Sequence, residues 1–446
     1  MKYAFSKNDV CVYSESNLKK VKIKKKKLYK NDLLNVKSLI MYNKKDNKVV
    51  FETAAVYPQH FYPLSILDYA NAIKEMVKND VEELPILSVS SKDYPFCDFK
   101  CKDCLADPSR NWAIQNLMEP EMELEKYKKI LKSISDFSKS KGVESVRFEF
   151  CGEGNPDMYR YRSEIIEYAA KECNMGIVYI STGSRMNDKL KQTLAKYASY
   201  IRISLPGISN EAYEFYSDQK SANKFTYDDA MNLLQELVDL RKEYKREDQL
   251  LIGVRTCMRR NNNGHYLSLG KKLGNMGVDS FQIVKVLTDN YDIILKNYLD
   301  DTTRKEIKEL LKKYKELGLK HLQVPDILDK LYVDRSFHNA KKPSKCYSSM
   351  ISPVLYASNL MVCIHWDKIK NKEYHYGKLD GSKDEIYNLI YKDKGVDIRN
   401  NIPKKCNNCC ALNDNLLLEA IRSQLSLYNN MDDIEFYVTV GDEYEI

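Results

Sequence analysis

From about residue 86 onward the chain repeats one rhythm: a short apolar run, a polar loop, then apolar positions three and four residues apart. Six of the apolar runs read as strands, namely LPILSVS near Ile86, SVRFEF near Phe148, GIVYIS near Val178, YIRISL near Ile203, LLIGVRT near Ile252 and DSFQIVKV near Ile283. Between them, Leu124, Tyr127, Leu131, Ile134 and Phe137 share one helical face, and so do Leu233, Leu237 and Leu240. Gly142, Gly176 and Gly277 fall just past helical patterns, where a left-handed C-terminal cap belongs. Strands alternating with helices predict an α/β fold with parallel strands and right-handed crossovers, either an open sheet or a barrel. Ligands in such folds gather at the C-terminal ends of the strands.

Outside that rhythm the pattern changes. Residues 1–85 are less regular, with short apolar or aromatic runs and a helix expected around Leu67 to Val77, and they read as an additional N-terminal domain. A charged helical stretch from Asp301 to Leu317 leads into a cysteine-containing region from about residue 335. A further helix is expected over Leu416 to Leu427, packed back on the body, and the acidic end MDDIEFYVTVGDEYEI reads as an edge strand. The expected division is 1–85, 86–300 and 301–446.

With 43% apolar and 30% charged residues over 446 positions, the chain can bury a full core, which excludes wholesale disorder. No apolar run reaches the roughly 18 residues of a membrane span, and MKYAFSKNDV lacks a secretory apolar segment, so a cytoplasmic protein with no membrane partner is expected. The net charge of +8 is concentrated in stretches such as Lys19 to Lys30. A solvated strand or loop is one reading of that stretch and a site for an anionic partner the other; no nucleic-acid motif is present. Twelve cysteines in a cytosolic chain point to metal or redox chemistry rather than disulfides. Eight fall into two groups, Cys97/Cys101/Cys104 and Cys346/Cys363/Cys406/Cys409/Cys410.

The first group lies in PFCDFKCKDC, directly after the first strand, with spacing C-x3-C-x2-C. Three thiolates this close suit three corners of a four-iron four-sulfur (4Fe-4S) cube and leave the fourth iron open. Zinc is the structural alternative, but it wants a closed set of four ligands, and no fourth Cys or His follows before Cys151. This spacing at the head of a strand–helix series resembles the radical S-adenosylmethionine (radical SAM) superfamily, over roughly residues 86–290. The resemblance implies a partial (βα)6 barrel, SAM chelated by the open iron, reductive cleavage to a 5′-deoxyadenosyl radical, hydrogen abstraction from an unactivated carbon, and an electron donor such as flavodoxin or ferredoxin. The family's aromatic residue before the third cysteine is replaced here by Asp103.

Other positions follow from the same resemblance. The second strand ends in FEFCGEGNP, similar to the family's Gly-Gly-Glu-Pro-like turn that holds SAM's amino group. One register aligns Gly152 and Glu153 with the Gly-Glu pair; the other aligns Pro156, placing Asn155 at the acid. Gly154 belongs to the turn in either case, and Glu153 is favoured because a carboxylate pairs with an ammonium. In YIRISLPG the residue matching the family's SAM-contacting hydroxyl is Ser204. Thr182, Ser181, Arg255 and Lys285 are further candidates at the same mouth, with strand period leaving either face open.

Cys346 and Cys363 flank PVLYASNLMV, a hairpin with its turn expected at Ser358-Asn359, and KKCNNCC follows about forty residues later. On residues alone this four-thiolate set suits zinc or iron–sulfur equally. It is similar to the auxiliary-cluster region of SPASM and twitch radical SAM enzymes, which implies a second 4Fe-4S cluster on Cys346, Cys363, Cys406 and Cys409, with Cys410 competing for the last place. Four thiolates leave no open iron, so its implied role is electron transfer. The expected reaction is a net oxidation, dehydrogenation or crosslinking, of a peptide or protein side chain. The enzymatic alternatives are epimerisation, with Cys257 or Cys151 as hydrogen donor, and action on a sugar or small metabolite. A zinc-stapled binding protein is the alternative of another class.

Overall fold

The computed structural model describes residues 10–13, 23–26, 36–54, 65–92, 94, 96–102, 104, 122–151, 154–219, 224–284, 286, 300–324, 344–363, 372–405 and 412–440. Six parallel strands run in sequence order, β5 (Ser88–Ser91), β6 (Arg147–Cys151), β7 (Gly176–Ser181), β8 (Ala198–Leu205), β9 (Leu251–Cys257) and β10 (Ser280–Val284). They are the strands expected from the apolar runs. Residues of the intervening helices, such as Ile134, Ile165, Leu190, Leu237 and Leu273, share one core with Val89, Phe148, Phe150, Ile201, Ile203, Val254 and Phe281. Val178, Tyr200 and Leu251 form a separate cluster on the opposite face. With every crossover on one side, the sheet is wound as a partial barrel rather than as a doubly wound sheet with helices on both faces.

Both edges of this barrel are extended. A seventh parallel strand, β11 (His321–Gln323), pairs with β10. At the other edge, the hairpin β12 (Val354–Tyr356) and β13 (Asn359–Met361) attaches β12 parallel to β5, and β14 (His375–Lys378) follows. The cysteine-bearing C-terminal region is thereby part of the same ten-stranded sheet.

The N-terminal strands β3 (Val36–Asn43) and β4 (Lys48–Ala54) take a third strand from the far end of the chain, β15 (Ile434–Val440), in the order β15-β3-β4. That is the edge strand expected in the acidic end. The helix over Ser65–Lys78 packs against the helix over Leu412–Leu425, and Lys78 pairs with Asp432 at 2.5 Å.

Two local expectations are corrected. Gly142 (φ 86°) and Gly277 (φ 89°) are left-handed, but Gly176 opens β7, and the left-handed residue there is Asn174 (φ 54°). Asn tolerates that region because its short polar side chain bonds locally, and its Nδ2 donates to the Glu144 carbonyl at 3.0 Å. The hairpin turn is Ala357-Ser358, one residue earlier than expected: Tyr356 pairs with Asn359, and Ala357 takes the positive φ of 48°. The Lys19 to Lys30 stretch is described only over Ile23–Lys26, a strand paired antiparallel with Val10–Tyr13.

Candidate functional site

The loop carrying Cys97, Cys101 and Cys104 leaves the C-terminal end of β5, and each of the three is half-buried. Its backbone is pinned on two sides. The Gly154 N–H donates to Tyr94 O and the Asn155 N–H to Phe96 O (3.2 and 2.8 Å), tying the loop to the turn after β6. The Lys100 and Lys102 N–H groups donate to Ser217 O and Tyr216 O (2.9 and 3.1 Å) at the end of the helix over Asn210–Ser217. Phe99, buried, meets Tyr213 of that helix edge-on at 6.1 Å.

Between the first two cysteines, Asp98 is the hub of a polar network. Its carboxylate accepts from Asn155 Nδ2 (3.0 Å), Ser184 Oγ (2.8 Å) and Arg185 Nε (3.1 Å). Asn155, 1% exposed, also donates to Ser184 Oγ (2.7 Å) and accepts from Ser181 Oγ (3.2 Å) and the Asp157 N–H (3.2 Å). Both its amide donors and its carbonyl oxygen are engaged by protein groups. The cysteine loop is thus fixed to the ends of β6 and β7 by its own side chains. Gly152, Glu153 and Asp103 lie outside the described residues.

Tyr213 is completely buried, and its hydroxyl has no hydrogen-bond partner among the described residues. Burial, then the neighbouring Cys101 and Asp98, push that hydroxyl well above its usual pKa. A buried donor without an acceptor costs about 1–3 kcal/mol, and a thiolate or sulfide beside Cys101 would supply the acceptor. No three His, Cys, Asp or Glu side chains among the described residues converge as they would on one metal ion; a four-iron cube takes its thiolates at separate corners. The donor set and the orphaned hydroxyl fit a cluster.

The face of the barrel turned away from the helices is polar and layered by register. Val178, Tyr200 and Leu251 form its floor, aligned with Glu149, which accepts from Ser90 Oγ at 2.7 Å. Above them Cys151, Ile180, Arg202, Gly253 and Ser280 align. A Cβ at Gly253 would meet Tyr200 Oη at 2.3 Å and Ser280 Oγ at 2.4 Å, so only glycine lets that tyrosine lie across the strand. The next layer aligns Ser204, Arg255 and Gln282, with Arg255 Nε donating to Gln282 Oε1 at 2.9 Å. Cys257 is the outermost of the β9 residues on this face, paired with Val284. Thr182 follows Ser181 at the end of β7, with its hydroxyl 3.0 Å from Ser184 Oγ. Burial and then Arg202 press the Arg255 guanidinium below its ordinary pKa. The register therefore brings Ser204 and Arg255 together at the mouth; Lys285 lies outside the described residues. Asp98, Tyr213 and Arg202 were not singled out from sequence. Only Arg202 carried a local signal, lying two residues from Ser204 on the same strand face.

Cys346 and Cys363, half-buried, sit on either side of the β12–β13 hairpin as its spacing implied. Asn415 Nδ2 approaches Cys346 Sγ at 3.9 Å, while its Oδ1 accepts from the Ser348 N–H at 3.0 Å. Cys406, Cys409 and Cys410 lie outside the described residues.

Neither a protein-family model nor a curated protein sequence matches the chain. Solved structures do. Streptococcus suis SuiB bound to precursor peptide SuiA matches at 13% identity over 78% of this chain and 74% of that one, with TM-score 0.50. Tagged anSMEcpe with bound AdoMet matches at 14% identity over 78% of this chain and 100% of that one, again with TM-score 0.50. At such identities the likeness is one of fold: this chain shares the mostly parallel α/β partial-barrel fold of those two structures.

Proposed function

We propose that this chain is a radical SAM enzyme that oxidises a peptide or protein side chain, by dehydrogenation or crosslinking. The observation that carries the reading is the three-cysteine loop at the C-terminal edge of β5, locked to the ends of β6 and β7 through Asp98 and Asn155. Cys97, Cys101 and Cys104 would hold a 4Fe-4S cluster, and Cys346 and Cys363, with Cys406 and Cys409, a second. The first, when bound, supplies the electron that splits SAM's sulfonium and so the radical that removes hydrogen from substrate.

The chain's own part is positioning. Ser204 and Thr182 offer hydroxyls at the mouth, and Gly152 and Glu153, which follow β6 in sequence, would take SAM's ammonium. Phe99 and Tyr213 close the apolar side of the loop against water. Support for a peptide substrate comes from SuiB, whose structure holds its precursor peptide, and support for SAM from anSMEcpe, whose structure holds AdoMet. A flavodoxin- or ferredoxin-like donor would supply electrons.

The test is anaerobic reconstitution with iron and sulfide, then SAM and dithionite, with chromatography for 5′-deoxyadenosine. The reading fails if iron-loaded protein forms none. A second reading, epimerisation, is favoured by Cys257, which faces the barrel interior beyond Arg255. Deuterium gained from solvent at a substrate carbon would select it, and a product two hydrogens lighter would select oxidation.

A further inference from the structure

The segment that carries Cys346 is gripped by one face of one helix. Asn415, Glu419 and Arg422 recur at four- and three-residue spacing along the helix over Leu412–Leu425, so they stand in one row. Glu419 accepts from the Ser344 N–H through both oxygens (3.2 Å each), and Asn415 Oδ1 accepts from the Ser348 N–H and Oγ (3.0 and 3.2 Å). Arg422 donates to Tyr347 Oη (3.3 Å) and to Glu82, in the segment before β5 (3.1 Å). Cys346 lies in the middle of the gripped stretch, and its own carbonyl accepts from Ser349 Oγ at 2.6 Å. In sequence the same helix begins two residues after Cys410.

The two ends of the Asn415 amide are sorted by chemistry. A backbone N–H can only donate, so the amide oxygen is the atom that faces Ser348, and Nδ2 is turned to Cys346 Sγ at 3.9 Å. Asn415 is 0% exposed, and in a buried setting an N–H dipole acts more strongly than in water. An N–H turned onto sulfur suits a thiolate, the form that ligates iron. Hydrogen bonds to the sulfurs of an iron–sulfur cluster are among the groups that set its potential, because they stabilise the more negative, reduced state.

We infer that Asn415 is a positioning residue of the C-terminal cysteine site: its oxygen holds the Cys346 segment, and its N–H raises the potential of the auxiliary cluster. This rests on the two-cluster reading and deepens it, since a higher potential makes the cluster a better acceptor of the substrate's electron. In the oxidation proposed above, the deoxyadenosyl radical removes one hydrogen atom. The substrate radical then gives one electron to the auxiliary cluster and one proton to solvent, which accounts for both hydrogens lost.

The test isolates the C-terminal cluster in the Cys97, Cys101 and Cys104 triple alanine background, reconstituted anaerobically, with iron counted and the midpoint potential read by EPR. Asn415→Asp keeps an oxygen for Ser348 and puts an anion where the N–H stood. It should retain roughly four irons per chain, and its reduction should be at least about tenfold less favourable, about 59 mV lower for one electron. Glu419→Gln, on the same row but turned to Ser344, should not lower the potential. An unmoved potential in Asn415→Asp, or an equal fall in Glu419→Gln, would overturn the inference. So would loss of the iron from Asn415→Asp, because the retained oxygen would then not suffice to hold Cys346. If the triple alanine background itself held no iron, the two-cluster reading would fall together with the inference; iron present with an unmoved potential would overturn the role of Asn415 alone.

Discussion

Replacing Asp98 with Ala should unlock the cysteine loop while leaving the barrel intact. The carboxylate accepts from Asn155 and Ser184 at 3.0 and 2.8 Å, and hydrogen bonds to a charged group contribute about 1.5–3 kcal/mol each. The ion pair to Arg185, whose side chain is 48% exposed, adds about 0–1 kcal/mol. Asn155 and Ser184 keep their mutual bond at 2.7 Å, so part of the network survives and the net loss is about 2–4 kcal/mol. That loss is local, and local opening is read by amide exchange. The reporters are the Lys100, Lys102 and Cys104 N–H groups, bonded to Ser217, Tyr216 and Cys101 carbonyls. In iron-free Asp98→Ala their protection should fall about thirty- to a thousandfold, while amides of β8 and β9 stay within about threefold. Loop protection within about threefold of the native sequence would refute the reasoning, because the loop would then be held without Asp98.

Tyr213→Phe removes the hydroxyl that would donate to sulfur beside Cys101. Iron-free protein should lose no stability, since a buried unsatisfied group goes with it, whereas the reduced cluster loses about 1 kcal/mol of bonding, which lowers the midpoint potential by roughly 40 mV in a redox titration followed by EPR. An unchanged potential together with a lower melting temperature would mark Tyr213 as packing alone. Cys346→Ala with Cys363→Ala should cut iron from roughly eight to roughly four per chain while leaving the SAM-derived product; unchanged iron, or stoichiometric zinc in the native sequence, would remove the auxiliary cluster.

What could be read from sequence was what local patterns encode. Apolar runs and helical spacing placed β5 to β10 because each is stabilised by one buried face, and the face of Tyr127, Leu131, Ile134 and Phe137 is buried as its spacing required. Cys97, Cys101 and Cys104 were legible because their chemistry lies within one loop. The pairing of β3 with β15 was not, since no local signal links Ile40 to Tyr437; nor was the parallel attachment of Val354 to Ser90, which uses an edge left open by the first strand. Gly176 carries the sequence signature of a cap because glycine is the commoner left-handed residue, whereas Asn174 meets that need with a side-chain bond. Asp98 and Tyr213 gain their roles only from partners about 57 to 112 positions away in sequence, Asn155 for Asp98 and Cys101 for Tyr213, which no periodicity reveals.

The most direct measurement compares the native sequence with the Cys97, Cys101 and Cys104 triple alanine variant, both reconstituted anaerobically and given SAM and dithionite. The account predicts 5′-deoxyadenosine from the native protein and none above the protein-free background from the variant, with the iron of the C-terminal cysteines retained. Equal rates from the two proteins would contradict it.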